Sequence, residues 1–183
     1  TVIYFGDGCF EEGVIHECMN FAALHKLPII FVCENNNYSV YTQLKDRQPD
    51  RKIINIAKAH GLKTHTANGN DVLEVSSIAH NAVSNVKLGD GPQFFELDTY
   101  RWLEHCGPFD DDHLDYRPSG ELAIWKDSCP VGKLKKHIKS KGSHEKIFKT
   151  IEMEIDKEIK LAFEFAKNSP IPKIEDLNKY TYA

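Results

Sequence analysis

Hydrophobic residues fall into two alternating rhythms along this chain. Val2, Ile3, Tyr4 and Phe5 make one short apolar run, and residues 29–33 make another without a polar break. Both predict strands, and the unbroken run over 29–33 marks one buried on both faces. Between them Phe10, Val14, Cys18 and Phe21 recur at helical spacing, with Ile15, Met19 and Ala22 beside them. This spacing predicts a helix over 10–26, ended by Pro28. Strand, helix and strand within residues 1–35 predict a right-handed parallel βαβ unit. Further on, the pattern predicts a helix over 51–60 stopped by Gly61, a short strand over 62–67, a helix capped by Asp71 and running to Leu88, and a strand over 93–99. Residues 100–118 are irregular and acidic. Two helices follow, the last over 144–167 with Ile147, Ile151, Ile155, Ile159, Ala162 and Phe163 on one stripe, and Pro170 and Pro172 leave the tail extended. Strands alternating with helices predict an α/β fold with a doubly wound, mostly parallel sheet.

The 183 residues, 41% of them apolar and 27% charged, suit one globular domain over 1–183, with C-terminal helices over 119–168 and an extended tail over 169–183. The chain opens at Thr1 in what already reads as a strand, so the expected fold is N-terminally incomplete, with residues missing upstream. A net charge of -4 gives no electrostatic reason to expect nucleic acid or an anionic membrane as partner, and the apolar runs are too short to span a bilayer. Cys9, Cys18, Cys33, Cys106 and Cys129 are scattered and form no C-x-x-C pair. A disulfide framework or structural zinc is not expected, and a reducing, cytoplasmic setting is.

Candidate chemistry begins at Gly6-Asp7-Gly8, where the first strand turns toward the first helix. Such a turn lets the backbone approach a phosphate, with the helix amides and dipole aimed at the anion. Its bland alternative is a tight turn that needs positive φ. A dinucleotide could use Glu34 for a ribose hydroxyl. That fingerprint, however, wants glycine where Glu11 stands, and the next glycine is Gly13. Asp7, Glu11 and Glu12 would also face a diphosphate with no Lys or Arg nearby in sequence to offset them. A divalent cation between Asp7 and a diphosphate removes that objection, because Mg²⁺ takes one or two protein oxygens plus phosphates. Asn36, at the end of the next strand, offers a neutral oxygen beside Asp7, since the C-terminal ends of parallel neighbours lie together. Read alone, Asn35-Asn36-Asn37 is simply a turn.

Gly6-Asp7-Gly8 followed by Asn35-Asn36 resembles the thiamine diphosphate motif. The surrounding run is similar to the alpha subunit of 2-oxo acid dehydrogenases of the pyruvate and acetoin types. Its matching residues are Gly13, Glu17, Asn20-Phe21-Ala22-Ala23-Leu24, Lys26-Leu27-Pro28 and Glu34-Asn35-Asn36-Asn37-Tyr38. Asp98-Thr99-Tyr100-Arg101-Trp102, His105 and Tyr116-Arg117 look like that subunit's second signature, and the tail from Ala166 to Pro172 is similar to its end. The resemblance implies a thiamine diphosphate-binding fold in which Asp7 and Asn36 are Mg²⁺ side-chain ligands and Tyr38 gives a backbone carbonyl. It places Gly6, Gly8 and Cys9 against the diphosphate. His105 lies over the cofactor as the catalytic residue that meets diphosphate or substrate, and Arg101 either supports its loop or is a solvated cation. It implies oxidative decarboxylation of a 2-oxo acid together with a beta subunit, in an assembly of two alpha and two beta chains, with a lipoyl-bearing acyltransferase as a further partner. The catalytic glutamate would come from the beta subunit, not from Glu11, Glu12 or Glu17. Asp110-Asp111-Asp112-His113 is expected to be a solvated loop rather than a metal site. Two alternatives remain beside this reading: a transketolase-like carbon–carbon transferase, and a non-catalytic cofactor-binding or interaction fragment.

Overall fold

The main sheet is built from four short runs, the two central ones mostly buried and the two at its edges largely exposed. In the computed structural model, which describes residues 1–142 and 144–179, β1 is Val2–Gly6, α1 is Gly13–Leu24 and β2 is Ile30–Asn35. A two-stranded antiparallel hairpin follows, β3 (Tyr38–Ser39) with β4 (Thr42–Gln43), and then α2 (Leu44–Arg47), α3 (Ile53–Ala59), β5 (Lys63–Asn68), α4 (Val72–Lys87) and β6 (Gln93–Asp98). The main sheet has the order β1-β2-β6-β5, and all of its neighbours are parallel.

Residues alternate across β2, and the core divides accordingly. Phe31 and Cys33 join Phe94 of β6 on one face, against Phe10, Ile15, Met19 and Ala22 of the first helical region and Ile53 and Ala57 of α3. Ile30 and Val32 join Phe95 and Leu97 on the other face, against Ala82, Val75, Ile78 and Val86 of α4. Helices therefore pack against both faces. Phe94 takes an edge contact from Phe10 at 5.7 Å and a tilted one from Phe5 at 6.1 Å. Asp71 caps α4 as expected, its Oδ1 accepting from the amides of Leu73 and Glu74, both at 3.1 Å. That cap is worth about 1 kcal/mol.

The first helix differs from its prediction. Cys9–Glu11 is a separate 3-10 turn, and α1 starts only at Gly13. Phe10 is thus outside the helix, so its spacing to Val14 has no helical meaning. Ile15, Met19 and Ala22 form the buried stripe, while Val14, Cys18 and Phe21 face outward.

The chain forms two compact units, Thr1–Lys136 and a second that begins at His137. Among the described residues three α-helices, not two, follow residue 118: α5 (Glu121–Asp127), α6 (Pro130–Ser140) and α7 (Glu145–Asn168). The isoleucine stripe of α7 is exposed along its whole length, from Ile147 to Phe163. The tail expected to be extended contains a 3-10 turn at Ile174–Asn178, and residues 180–183 of that expectation lie outside the described residues.

One titratable pair stitches α1 to α3. His16 Nδ1 lies 3.3 Å from His60 Nε2, and Phe10 leans on the His16 ring at 5.5 Å. Burial, then the neighbouring His60 and Arg51, lower the His16 pKa from its ordinary 6.5. Below pH 6.5 the unfolded chain takes up a proton that folded His16 refuses, so stability falls until the pH passes the lowered value. Thermal melts of wild type against His16→Gln should show the wild type losing more stability between pH 7.5 and 5.5 (about two pH units chosen to span the ordinary imidazole range). Parallel pH profiles would remove His16 as the cause.

Candidate functional site

The register of β1 on β2 pairs Gly6 with Glu34, so the turn at Asp7 and the loop at Asn35-Asn36 leave the sheet side by side. This is the carboxyl end of a parallel sheet, where ligands collect. Asp7 is 1% exposed. Its Oδ2 is ion-paired to Arg47 of α2, which reaches Glu11 with its other terminal nitrogen. The charge argument from sequence is therefore corrected: a cation does offset Asp7 and Glu11, delivered by folding from 40 residues downstream. Asp7 Oδ1 is buried with no hydrogen-bond partner among the described residues. Leaving such an atom unpaired costs about 1–3 kcal/mol or more, which is explained if it faces an ion.

Gly8 has a specific reason to be glycine, and it is not positive φ. Its backbone is ordinary right-handed helical, φ -65 and ψ -36. A Cβ there would lie 2.6 Å from Ser39 Oγ and 2.9 Å from Ser39 Cβ. The β3–β4 hairpin thus closes onto the glycine turn, and the two loops form one structure. A second correction concerns the anion site. The 3-10 turn separates Gly8 from the N-terminus of α1, so the amides beside Gly8 belong to that turn and not to the helix. Cys9 is exposed at its start.

The two adjacent asparagines do different work. Asn35 is buried, donates to Glu96 Oε1 at 3.0 Å and accepts from the Asn37 amide at 3.1 Å. Glu96 in turn accepts from the Ile54 amide at 2.8 Å, tying β2, β6 and α3 together. Asn36 is half-buried, and its Oδ1 accepts from the Tyr38 amide at 2.9 Å, an Asx turn that leaves one lone pair available. Asn37 takes φ 64, a conformation asparagine tolerates, and its carbonyl accepts from the Leu44 amide at 2.8 Å where α2 begins. Asp7 Oδ1, Asn36 Oδ1 and the Tyr38 backbone are hard oxygen donors of the kind Mg²⁺ takes. With the close-packed Gly8 beside them, these residues fit a metal–diphosphate group.

His105 sits on the loop after β6. It is exposed, and the described residues give it no hydrogen bond or ion pair. Its loop is nevertheless firmly held. Asp111 is 1% exposed, not solvated as its acidic neighbourhood suggested. Its Oδ1 lies 3.1 Å from Arg117 Nη1, at an angle outside hydrogen-bond geometry. Its Oδ2 accepts from the Tyr116 hydroxyl at 2.6 Å. Arg117 donates to the Arg101 carbonyl at 3.0 Å and lies over the rings of Tyr116 and Tyr100, at 4.8 and 5.2 Å. Arg101 donates to the Val40 carbonyl at 2.7 Å and to the Tyr116 hydroxyl at 3.0 Å, so it supports the loop and is not a solvated cation. Val40 itself takes φ 55, a strained value for a β-branched residue.

Glu121 completes the clamp. Its Oε2 accepts from both the Tyr38 and the Tyr100 hydroxyls, at 2.7 and 2.9 Å. Burial, and then the bond to Glu121, push both phenols well above their ordinary pKa. Tyr116, half-buried and bonded to Asp111, is pushed up to about 12. Sequence reasoning passed over Arg47, Ser39 and Glu121. Each acts through a contact distant in sequence, so no local pattern announces it.

Asp111→Asn should leave Arg117 charged and unpaired in a buried place, at a cost of about 3–5 kcal/mol. Hydrogen exchange on the full-length protein should then show faster exchange across residues 101–117, while β2 stays protected. Unchanged exchange in that segment would show that Arg117 is satisfied elsewhere.

The chain matches the family described as "Dehydrogenase E1 component" over residues 1–175. It is 38% identical to "Pyruvate dehydrogenase E1 component subunit alpha-3, chloroplastic" of Arabidopsis thaliana, across 100% of this chain and 42% of that protein. It is 35% identical to "2-oxoisovalerate dehydrogenase subunit alpha" of Bacillus subtilis, across 99% of this chain and 54% of that protein. The chain spans about half the length of the curated relatives it matches. Among solved structures, a transketolase from Campylobacter jejuni overlaps 53% of this chain and 15% of its own at a TM-score of 0.47 and 23% identity. The family match takes in both the glycine turn with its asparagine loop and the clamped loop of His105, and the chain belongs to the dehydrogenase E1 component family.

Proposed function

We propose that this chain is the cofactor-anchoring part of the alpha subunit of a 2-oxo acid dehydrogenase. In this reading it binds Mg²⁺ and thiamine diphosphate for oxidative decarboxylation of a 2-oxo acid, together with a beta subunit. The observation that carries the reading is Asp7: a carboxylate 1% exposed, with one oxygen unpaired, at the carboxyl end of a parallel sheet. Asp7 and Asn36 are the side-chain ligands of the metal, and Tyr38 supplies its carbonyl. Gly6, Gly8 and Cys9 run along the diphosphate, where the absence of a Cβ at Gly8 keeps the hairpin close. When bound, thiamine diphosphate supplies the electron sink that lets a 2-oxo acid lose carbon dioxide. This chain's residues hold the anion and its metal, and His105, on a loop anchored at both ends, reaches the diphosphate or the substrate as the catalytic residue.

The partner reading is supported by exposed apolar surface on the first unit. Tyr4 on the edge strand and Phe21 and Leu24 on the outer face of α1 are 68, 57 and 74% exposed. An assembly of two alpha and two beta chains would cover such surface, and a lipoyl-bearing acyltransferase would receive the acyl group. Five free cysteines support the cytoplasmic setting. Among the described residues, no helix is long and apolar enough to cross a membrane.

Calorimetric titration of thiamine diphosphate into the full-length protein with its beta partner tests the proposal. Binding should require Mg²⁺, vanish in EDTA, and weaken at least 10-fold in Asp7→Ala, the scale of about 1.4 kcal/mol or more for a lost charged ligand. Binding that is indifferent to metal and to Asp7 would sink it. Gly8→Ala should also weaken binding, because the new methyl must push the Ser39 hairpin aside; unchanged affinity would show that the hairpin has no part in the site.

A further inference from the structure

Arg47 is held more tightly than a surface arginine needs to be. Its side chain is 11% exposed, its two terminal nitrogens pair with Asp7 and Glu11, and its Nε donates to the Thr42 carbonyl at 3.2 Å. The element that carries it is anchored at its first residue, where half-buried Leu44 packs against the core and its amide donates to the Asn37 carbonyl at 2.8 Å. α2 is a single turn of four residues with no buried side chain, too short to be stable on its own. It runs out into an extended Gln48, and it borders a cleft of about 320 Å³ lined by Asn37, Leu44, Gln48 and Arg51. With Leu44 as its packed end, this one turn can pivot and carry Arg47 with it.

Electrostatics sets what it exchanges with. One guanidinium between two carboxylates leaves the trio at net charge -1, so the pocket still attracts cations. A divalent cation on Asp7 Oδ1 would stand a few ångströms from that guanidinium. Like charges at that distance repel strongly where water is excluded. The two cations compete for one carboxylate.

We propose that Arg47 is an internal counter-ion that a divalent metal displaces from Asp7, so that α2 is a latch that opens as metal binds. The proposal rests on the reading of Asp7 as a metal ligand. It makes Arg47 a positioning residue that sets metal affinity. While it holds Asp7 the buried charge is compensated and the site is shaped. On displacement Glu11 retains the guanidinium, and segment 44–51 shifts with it away from Asp7.

Mn²⁺ is the probe, titrated into the full-length protein without thiamine diphosphate and followed by the paramagnetic resonance of the free ion. Arg47→Gln should bind Mn²⁺ about 10-fold more tightly than wild type, because charge-assisted bonds of this kind hold Asp7 in the wild type. Arg47→Lys, which keeps the charge but not the fork, should lie between them and serves if the glutamine variant does not fold. Hydrogen exchange gives an independent readout. Mn²⁺ should speed exchange across residues 44–51 in the wild type, and Arg47→Gln should exchange fast there from the start. Equal Mn²⁺ affinity in wild type and both Arg47 variants, or exchange across 44–51 that ignores Mn²⁺, overturns the latch. Asp7→Asn separates the two ideas. Its loss of Mn²⁺ binding with no effect of Arg47 overturns the latch alone, and its undiminished binding overturns the metal site and the latch together.

Discussion

Burying the Asp7 carboxylate at the end of β1 is the demand around which the site is organised. A charge 1% exposed cannot remain uncompensated in a protein interior. The compensation available from this chain arrives by folding. The hairpin after Asn36 turns the chain so that α2 delivers Arg47, which also pairs with Glu11 of the 3-10 turn. That route works only if the hairpin can press against the turn, and Gly8 permits it by having no Cβ to meet Ser39. The glycine, the hairpin and the arginine are thus three parts of one solution to one buried charge.

The parallel sheet explains why this solution lies where it does. All four strands run the same way, so their carboxyl ends form one edge from which the loops leave together. Polar side chains there fall into two kinds. Asn35 and Glu96 bond to each other and to the backbone, with their hydrogen-bonding capacity spent on holding strands and α3 in place. Asp7 and Asn36 keep an oxygen or a lone pair in reserve. Reserve capacity in a buried or half-buried polar group has a free-energy cost, and a ligand site is where such a cost is ordinarily offset.

How much of this could be read from the sequence follows from the range of each interaction. β2 was legible because Ile30 to Cys33 is buried on both faces and reads as an unbroken apolar run. α4 was legible because its cap and its first turn are three residues apart. The start of α1 was not, since Phe10 packs from a 3-10 turn and mimics a helical position. The motif spacing singles out Asp7 and Asn36 in the sequence, but not the partner that occupies Asp7, because Arg47 lies in a polar loop that resembles any other. Asp111 misled for a related reason. Three aspartates in a row look solvated, and only the folded loop shows that Arg117 and Tyr116 draw the middle one inside.

Glu121 then connects what would otherwise be two separate loops. One carboxylate oxygen accepts from both Tyr38, in the turn that carries the proposed metal ligands, and Tyr100, at the root of the His105 loop. Arg101 makes a second bridge, from the same root to the strained Val40 at the tip of the hairpin. Two bridges between two loops resist relative rotation in a way one cannot. The pair therefore fixes the angle as well as the distance between the metal turn and the base of the histidine loop. The tip, with His105, Cys106 and Phe109 exposed, is closed by the Glu104 amide donating to the Phe109 carbonyl at 2.9 Å. A base clamped by side chains beneath a solvent-facing tip is an arrangement that suits the role proposed for His105.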